Sequence, residues 1–275
     1  MKTSPKKPEI IIHPGMHKTG TTFLQWNVFP YVDANYLWHA FYKAGIGGAL
    51  DTSKEVDIEK IKERFDSLIS DEKVNIISEE NMYTYQFTKE DDRFTRLERI
   101  KQLFPEAKVV FGKRNKDESL VSWYVEYVAV GGVLDFQGFL DKYMNLEKLD
   151  PEPYEKKLKE HYGEENVFVY SMDDLRKDQD KLIGDICTFM NVEKPEKYRK
   201  KPARVGYGLG ALKLSLFLNR FFKTPVNPDG LIPWWGPILP QNIIFHSWLV
   251  KLFPKKKVTI EDIKNLKVTP IKKRK

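Results

Sequence analysis

The chain has 275 residues, 41% of them hydrophobic and 31% charged, with 17 Phe, 13 Tyr and 6 Trp. That is apolar material for one large domain or two smaller ones, and it excludes a mainly disordered chain. The single cysteine, Cys187, excludes an intramolecular disulfide framework and a cysteine-rich zinc site, and it fits a reducing, cytoplasmic setting. Net charge is +7, but residues 251–275 carry ten Lys/Arg and only two acids, so the rest of the chain is close to neutral. This is a globule with a basic tail, not a uniformly basic nucleic-acid binder.

Residues 1–9 read as a charged N-terminal arm. The apolar Ile10–Ile12 that follows is too short for a signal-peptide core, and no run of about 18 apolar residues suggests a membrane-spanning helix. Glu9–His13 reads as a buried strand, followed by a helix over Thr21–Val28 that Pro30 stops. Asn35–Trp38 is a candidate fifth strand beside the stronger ones at Lys73–Ser78, Lys108–Lys113 and Asn166–Ser171. Helical patterns cover Asp57–Ser70, Phe94–Phe104, Asp117–Val130, Phe136–Met144, Pro153–Tyr162 and Gln179–Asn191. Continuous apolar strands alternating with helices predict an α/β fold, a central parallel sheet with helices on both faces. Ligands of such folds sit outside the carboxyl ends of the strands. After Gly208 the texture changes. Leu209–Phe222 and Ile243–Phe253 are helix candidates, Pro225–Pro240 is rich in Pro and Gly, and the lysine-rich end reads as mobile. The expected division is an arm (1–9), an α/β domain (10–208) and a C-terminal extension (209–275) that packs on the domain or contacts a membrane.

The first strand runs into Gly15-Met16-His17-Lys18-Thr19-Gly20-Thr21-Thr22 and then a helix. A strand, a glycine loop and a helix start gather backbone N–H groups around an anion. Gly15 and Gly20 keep the G-x4-G spacing of a Walker A loop, but Thr21 stands where that loop requires lysine. The only lysine is Lys18, inside the loop, approaching the transferred atoms from another direction. A plain polar turn with Thr21 as helix cap would leave Lys18 unexplained.

The segment Ile11–Gln25, with its uninterrupted Lys18-Thr19-Gly20-Thr21-Thr22, resembles the 5′-phosphosulfate loop of sulfotransferases that use 3′-phosphoadenosine 5′-phosphosulfate (PAPS). The resemblance covers about residues 10–195 and implies a P-loop-like fold, PAPS as donor, and the desulfated product PAP. It also implies that Gly15, Lys18, Thr19, Gly20, Thr21 and Thr22 hold the 5′ end of the cofactor without a metal.

A second segment fits the same picture. Arg114 ends the Lys108–Lys113 strand and can grip a phosphate in bidentate fashion, and Ser122, eight residues later on a helix, can add a hydroxyl donor. The family's Arg-x7-Ser pair at the cofactor's 3′-phosphate matches Arg114 and Ser122; Ser119 has the poorer spacing. For the family's later basic loop the candidate is Lys200–Gly208, with Arg204 as its contact, although a solvated basic loop explains it equally well.

The acceptor hydroxyl needs a base. Lys73–Ser78 ends in Ser78-Glu79-Glu80-Asn81, which puts carboxylates at the edge of the cofactor crevice. Glycan sulfotransferases of the family use a glutamate here, and the family register favours Glu80 over Glu79. A solvated acidic loop is the bland alternative, and His17 and His39 are the other candidate bases. A glutamate in this place points to a sugar-type acceptor, a carbohydrate or glycolipid. In the extension, Trp234, Trp235, Trp248 and Phe253 beside the basic run could lie on an anionic membrane, or they could cover the sheet domain or wall the acceptor cleft. Two competing functions stand beside sulfuryl transfer. One is a P-loop small-molecule kinase, which the missing lysine after Gly20 opposes. The other is a non-catalytic protein that binds membranes or polyanions. The oligomeric state is not legible.

Overall fold

The structure is a computed structural model that describes residues 7–38, 45–199, 207–224, 226–232 and 258–266. Its elements begin with β1 (Ile10–His13), α1 (Thr21–Asn27), β2 (Asn35–Tyr36), α2 (Ile46–Ala49), α3 (Ile58–Asp66), β3 (Asn75–Ser78), α4 (Arg93–Leu103) and β4 (Lys108–Lys113). They continue with α5 (Lys116–Ala129), α6 (Phe136–Tyr143), α7 (Glu152–Tyr162), β5 (Val167–Ser171), α8 (Met172–Lys177), α9 (Gln179–Phe189), α10 (Leu209–Asn219) and α11 (Ile260–Lys264). The chain divides into two compact units. One comprises Met1–Gln86, Glu90–Arg114 and Asp150–Ala203, and the other Phe87–Lys89, Asn115–Leu149 and Arg204–Lys275.

The first unit is a five-stranded parallel sheet in the order β2-β3-β1-β4-β5. The expected fifth strand is present as β2. Neighbouring residues on the strands face opposite sides, and both sides are covered. Ile12, Ile77 and Val109 pack with Ile61 and Phe65 of α3, Leu97 and Ile100 of α4, and Tyr154 and Leu158 of α7. Ile11, Ile76 and Val110 pack with Phe23 and Leu24 of α1 and Leu182, Ile183 and Ile186 of α9. Burying both faces accounts for strands that read as continuous apolar runs. The chain passes from β3 over β1 to β4, so the carboxyl end of β1 lies at a topological switch, where ligands of open α/β sheets bind.

The helix expected over Asp57–Ser70 stops at Asp66. Asn75, at the start of β3, is the cause. Its side chain accepts from the Ser70 N–H at 2.8 Å and donates to the Ser70 carbonyl at 2.9 Å, holding that backbone out of the helix.

In the second unit, Trp123, Tyr124 and Tyr127 of α5, Phe139 of α6, Leu212 and Leu216 of α10 and Ile263 of α11 form one core. Asn219 fastens α10 to the end of α5 by donating to the carbonyls of Val128 at 2.7 Å and Gly132 at 2.9 Å. The lysine-rich end, expected to be mobile, contains α11. A reciprocal cap between Thr259 and Asp262 starts that helix, and Ile263 is buried. No helix among the described residues is long and apolar enough to cross a membrane. Ile243–Phe253, and with it Trp248 and Phe253, lies outside the described residues, as do Trp234 and Trp235.

Candidate active site

The loop after β1 is tied at Met16, whose N–H donates to the Gly112 carbonyl on β4 at 3.2 Å. Lys18 and Gly20 both have left-handed backbones, φ +69° and +87°, on either side of Thr19. Alternation of this kind turns successive N–H groups toward one anion. For Lys18 the conformation is strained, and Arg114 supports it: Nη1 donates to the Lys18 carbonyl at 3.1 Å. Gly20 precedes α1, and no side chain caps that helix start. Lys18, the loop N–H groups and the uncapped start together fit the 5′ end of a phosphosulfate donor.

The loop threonines differ in what they offer. Thr19 is buried and its hydroxyl donates to the Met16 carbonyl at 2.7 Å, so only its backbone is left for a ligand. Thr21 is also buried, its Oγ1 3.4 Å from that of Thr19, while Thr22 is half-buried. Gly15 is required by a close approach, since a Cβ there would sit 2.5 Å from the Thr21 hydroxyl.

At the end of β3 the two glutamates part company. Glu79 is buried and its carboxylate accepts from the Asn81 N–H at 3.1 Å, serving its own turn. Glu80 points to the loop: Oε2 is 3.0 Å from His17 Nδ1, and a quarter of the side chain (25%) stays exposed. The other ring nitrogen of His17 lies 2.7 Å from the Thr84 carbonyl, which can only accept. Nε2 therefore carries a hydrogen, and a single proton lies between Nδ1 and Glu80. Burial would raise the Glu80 carboxyl, but the hydrogen bond and charge of His17, with the charge of Lys18, outweigh it and hold Glu80 below its ordinary value. His17, a candidate base from the sequence, thus has both nitrogens committed within the site.

The structure brings Lys18, Glu80 and Arg114 together around one loop. Ser122 is half-buried on α5, in the second unit, and Ser119 on the same helix is buried with no hydroxyl partner among the described residues. Arg204 and His39 lie outside the described residues. Four polar residues beneath the loop, His13, Gln25, Ser78 and Tyr170, take no role from any motif in the sequence. Their signal is a histidine and a serine at the buried carboxyl ends of adjacent strands, where apolar residues are the norm.

The description "Sulfotransferase domain" matches residues 7–201. Comparison with curated proteins yields no match. The structure is similar to the crystal structure of a sulfotransferase from Alicyclobacillus acidocaldarius, with TM-score 0.51 and 16% identity over 78% of this chain and 93% of that one. A mouse sulfotransferase complexed with PAP gives TM-score 0.38 and 16% identity, over 70% of this chain and 60% of that one. The sulfotransferase domain from the curacin biosynthetic pathway gives 0.39 and 16%, over 69% and 76%. At such identities the likeness to the Alicyclobacillus protein bears on the fold.

Proposed function

The chain belongs to the sulfotransferase domain family, and from that premise we propose that it transfers a sulfuryl group from PAPS to an acceptor hydroxyl, with a carbohydrate or glycolipid as acceptor. The observation that carries this reading is the convergence of Lys18 and Glu80 beside the loop. The donor, when bound, supplies an activated sulfuryl group. The N–H groups of Thr19–Thr22 would hold its 5′-phosphate, and Lys18 would set a positive charge against the oxygens that gain charge in the transition state. Arg114 serves the 3′-phosphate. Glu80 takes the hydroxyl proton of the acceptor, and its exposed edge is where that hydroxyl approaches. His17 aims the carboxylate by bracing it against the Thr84 carbonyl.

Thermal unfolding with PAP and with ATP plus Mg²⁺ tests the donor. At 100 times Kd, PAP adds about 2.7 kcal/mol of stability, and the melting temperature rises accordingly. Stabilisation by Mg-ATP and not by PAP would overturn the reading in favour of a kinase.

A further inference from the structure

Beneath the loop runs a chain of buried polar groups whose hydrogens can be assigned from its Gln25 end. At one end, Gln25 Nε2 donates to the Ser78 carbonyl at 3.1 Å, which fixes the amide orientation, and it also reaches Ser78 Oγ at 3.2 Å. At the other end, the Thr19 hydroxyl spends its only hydrogen on the Met16 carbonyl. Between them, Ser78 Oγ is 2.7 Å from His13 Nδ1, His13 Nε2 is 3.1 Å from the Tyr170 hydroxyl, and the Tyr170 and Thr19 hydroxyls lie side by side over Gly112. All these side chains are buried.

Ser78 Oγ already accepts from Gln25, so its own hydrogen goes to His13 Nδ1. That nitrogen is then bare and Nε2 carries the ring hydrogen, which goes to the Tyr170 oxygen. The Thr19 hydroxyl beside Tyr170 has no hydrogen left to offer it, because that hydrogen goes to the Met16 carbonyl. The reverse assignment would strand the Ser78 hydrogen in the interior, at the cost of an unsatisfied buried donor. His13 is neutral at pH 7, since burial pushes it down to about 4 against the smaller upward pull of Glu80.

We propose that His13 is a positioning residue, fixed as the Nε2–H tautomer in this one-way chain, which holds Tyr170 against the Thr19 side chain that closes the loop on Met16. Its bearing on donor binding rests on the function proposed above; its bearing on loop shape does not. The space is built for the chain. A Cβ at Gly112 would come within 2.5 Å of the Tyr170 hydroxyl and 2.8 Å of the Thr19 hydroxyl, so only glycine lets the two meet there.

Long-range ¹H–¹⁵N spectra of the imidazoles read the tautomer directly. The expected result is the neutral Nε2–H form at pH 7, and an Nδ1–H form or an imidazolium overturns the proposal. In Tyr170→Phe the backbone amide shifts of residues 16–20 move and PAP binds about fivefold to tenfold more weakly, the scale of one hydrogen bond. Unchanged loop shifts in that variant also overturn it. A histidine pair separates positioning from packing. Gln can reach Tyr170 with a donor where Nε2 stood, whereas Asn can mimic only the Nδ1 acceptor. His13→Gln therefore retains more of the wild-type loop spectrum and PAP affinity than His13→Asn, and equal loss in both contradicts the chain. If the wild-type protein fails to bind PAP, the donor assignment falls, while the tautomer and the loop shifts still decide this proposal.

Discussion

Lys18 holds a backbone conformation that costs an L-residue roughly 1–2 kcal/mol, and Arg114 braces it from the carbonyl side. The strained turn fixes the direction from which the ammonium enters the site. Lys18→Ala is expected to lower kcat by about 10²-fold, the scale of one lost electrostatic donor, with a smaller effect on PAP affinity; near-normal turnover contradicts the role. Glu80→Gln removes the basicity and is expected to cut kcat by about 10²-fold or more with PAP binding intact, whereas Glu79→Gln, whose carboxylate serves its own turn, spares kcat. The pH profile adds a sharper test. Glu80 must be ionised to act, and His17 and Lys18 hold it below 4.5, so the acid limb of kcat/KM lies below pH 4.5. In His17→Gln the hydrogen bond and charge of the imidazole are gone, the burial effect dominates, and the limb moves to higher pH. A limb that stays put in that variant would show that Glu80 is not the titrating base.

At the scale of elements, the loop-to-helix junction depends on Gly20. Its φ of +87° favours glycine, and an added Cβ would lie 2.5 Å from Leu175 Cδ2 in α8. Gly20→Ala should cost about 1–2 kcal/mol for the backbone alone and lower the melting temperature by a few degrees. It should also weaken PAP binding, because the junction N–H groups shift; wild-type melting and binding would mean the turn tolerates a side chain. This junction was legible in the sequence, because a glycine loop between an apolar strand and a helix is written in adjacent residues. The strands were legible for the same reason. What was not legible came from partners distant in the chain. Asn75 cuts α3 short by capturing Ser70. Glu80 owes its setting to His17, 63 residues away, and His13 to Tyr170, 157 residues away. Periodicity carries no trace of such pairings. The capping box that starts α11 was local, and reading Thr259 against Asp262 would have found that helix.

For the whole molecule, family membership and the parallel sheet were both within reach of the sequence, because one motif-bearing loop and a row of apolar strands suffice for them. The grouping of Asn115–Leu149 with the C-terminal segment was not, since it rests on helices far apart in the chain. Stability of the whole fold carries a further mark of the buried histidine. Folded His13 titrates at about 4 and the unfolded side chain at 6.5. As pH falls from 6.5 toward 4, the unfolded chain takes up a proton that the folded protein refuses. Stability is therefore lost over that window at about 1.4 kcal/mol per pH unit. Above 6.5 neither state binds the proton and the contribution is flat. His13→Gln lacks the titrating ring, so it starts less stable at pH 7 and loses less on acidification. Urea unfolding of both proteins between pH 7 and 4 should show the gap between them closing as the pH falls. Parallel curves would mean that His13 is protonated as readily in the folded protein as in the unfolded chain, which a neutral ring sealed between Ser78 and Tyr170 does not permit.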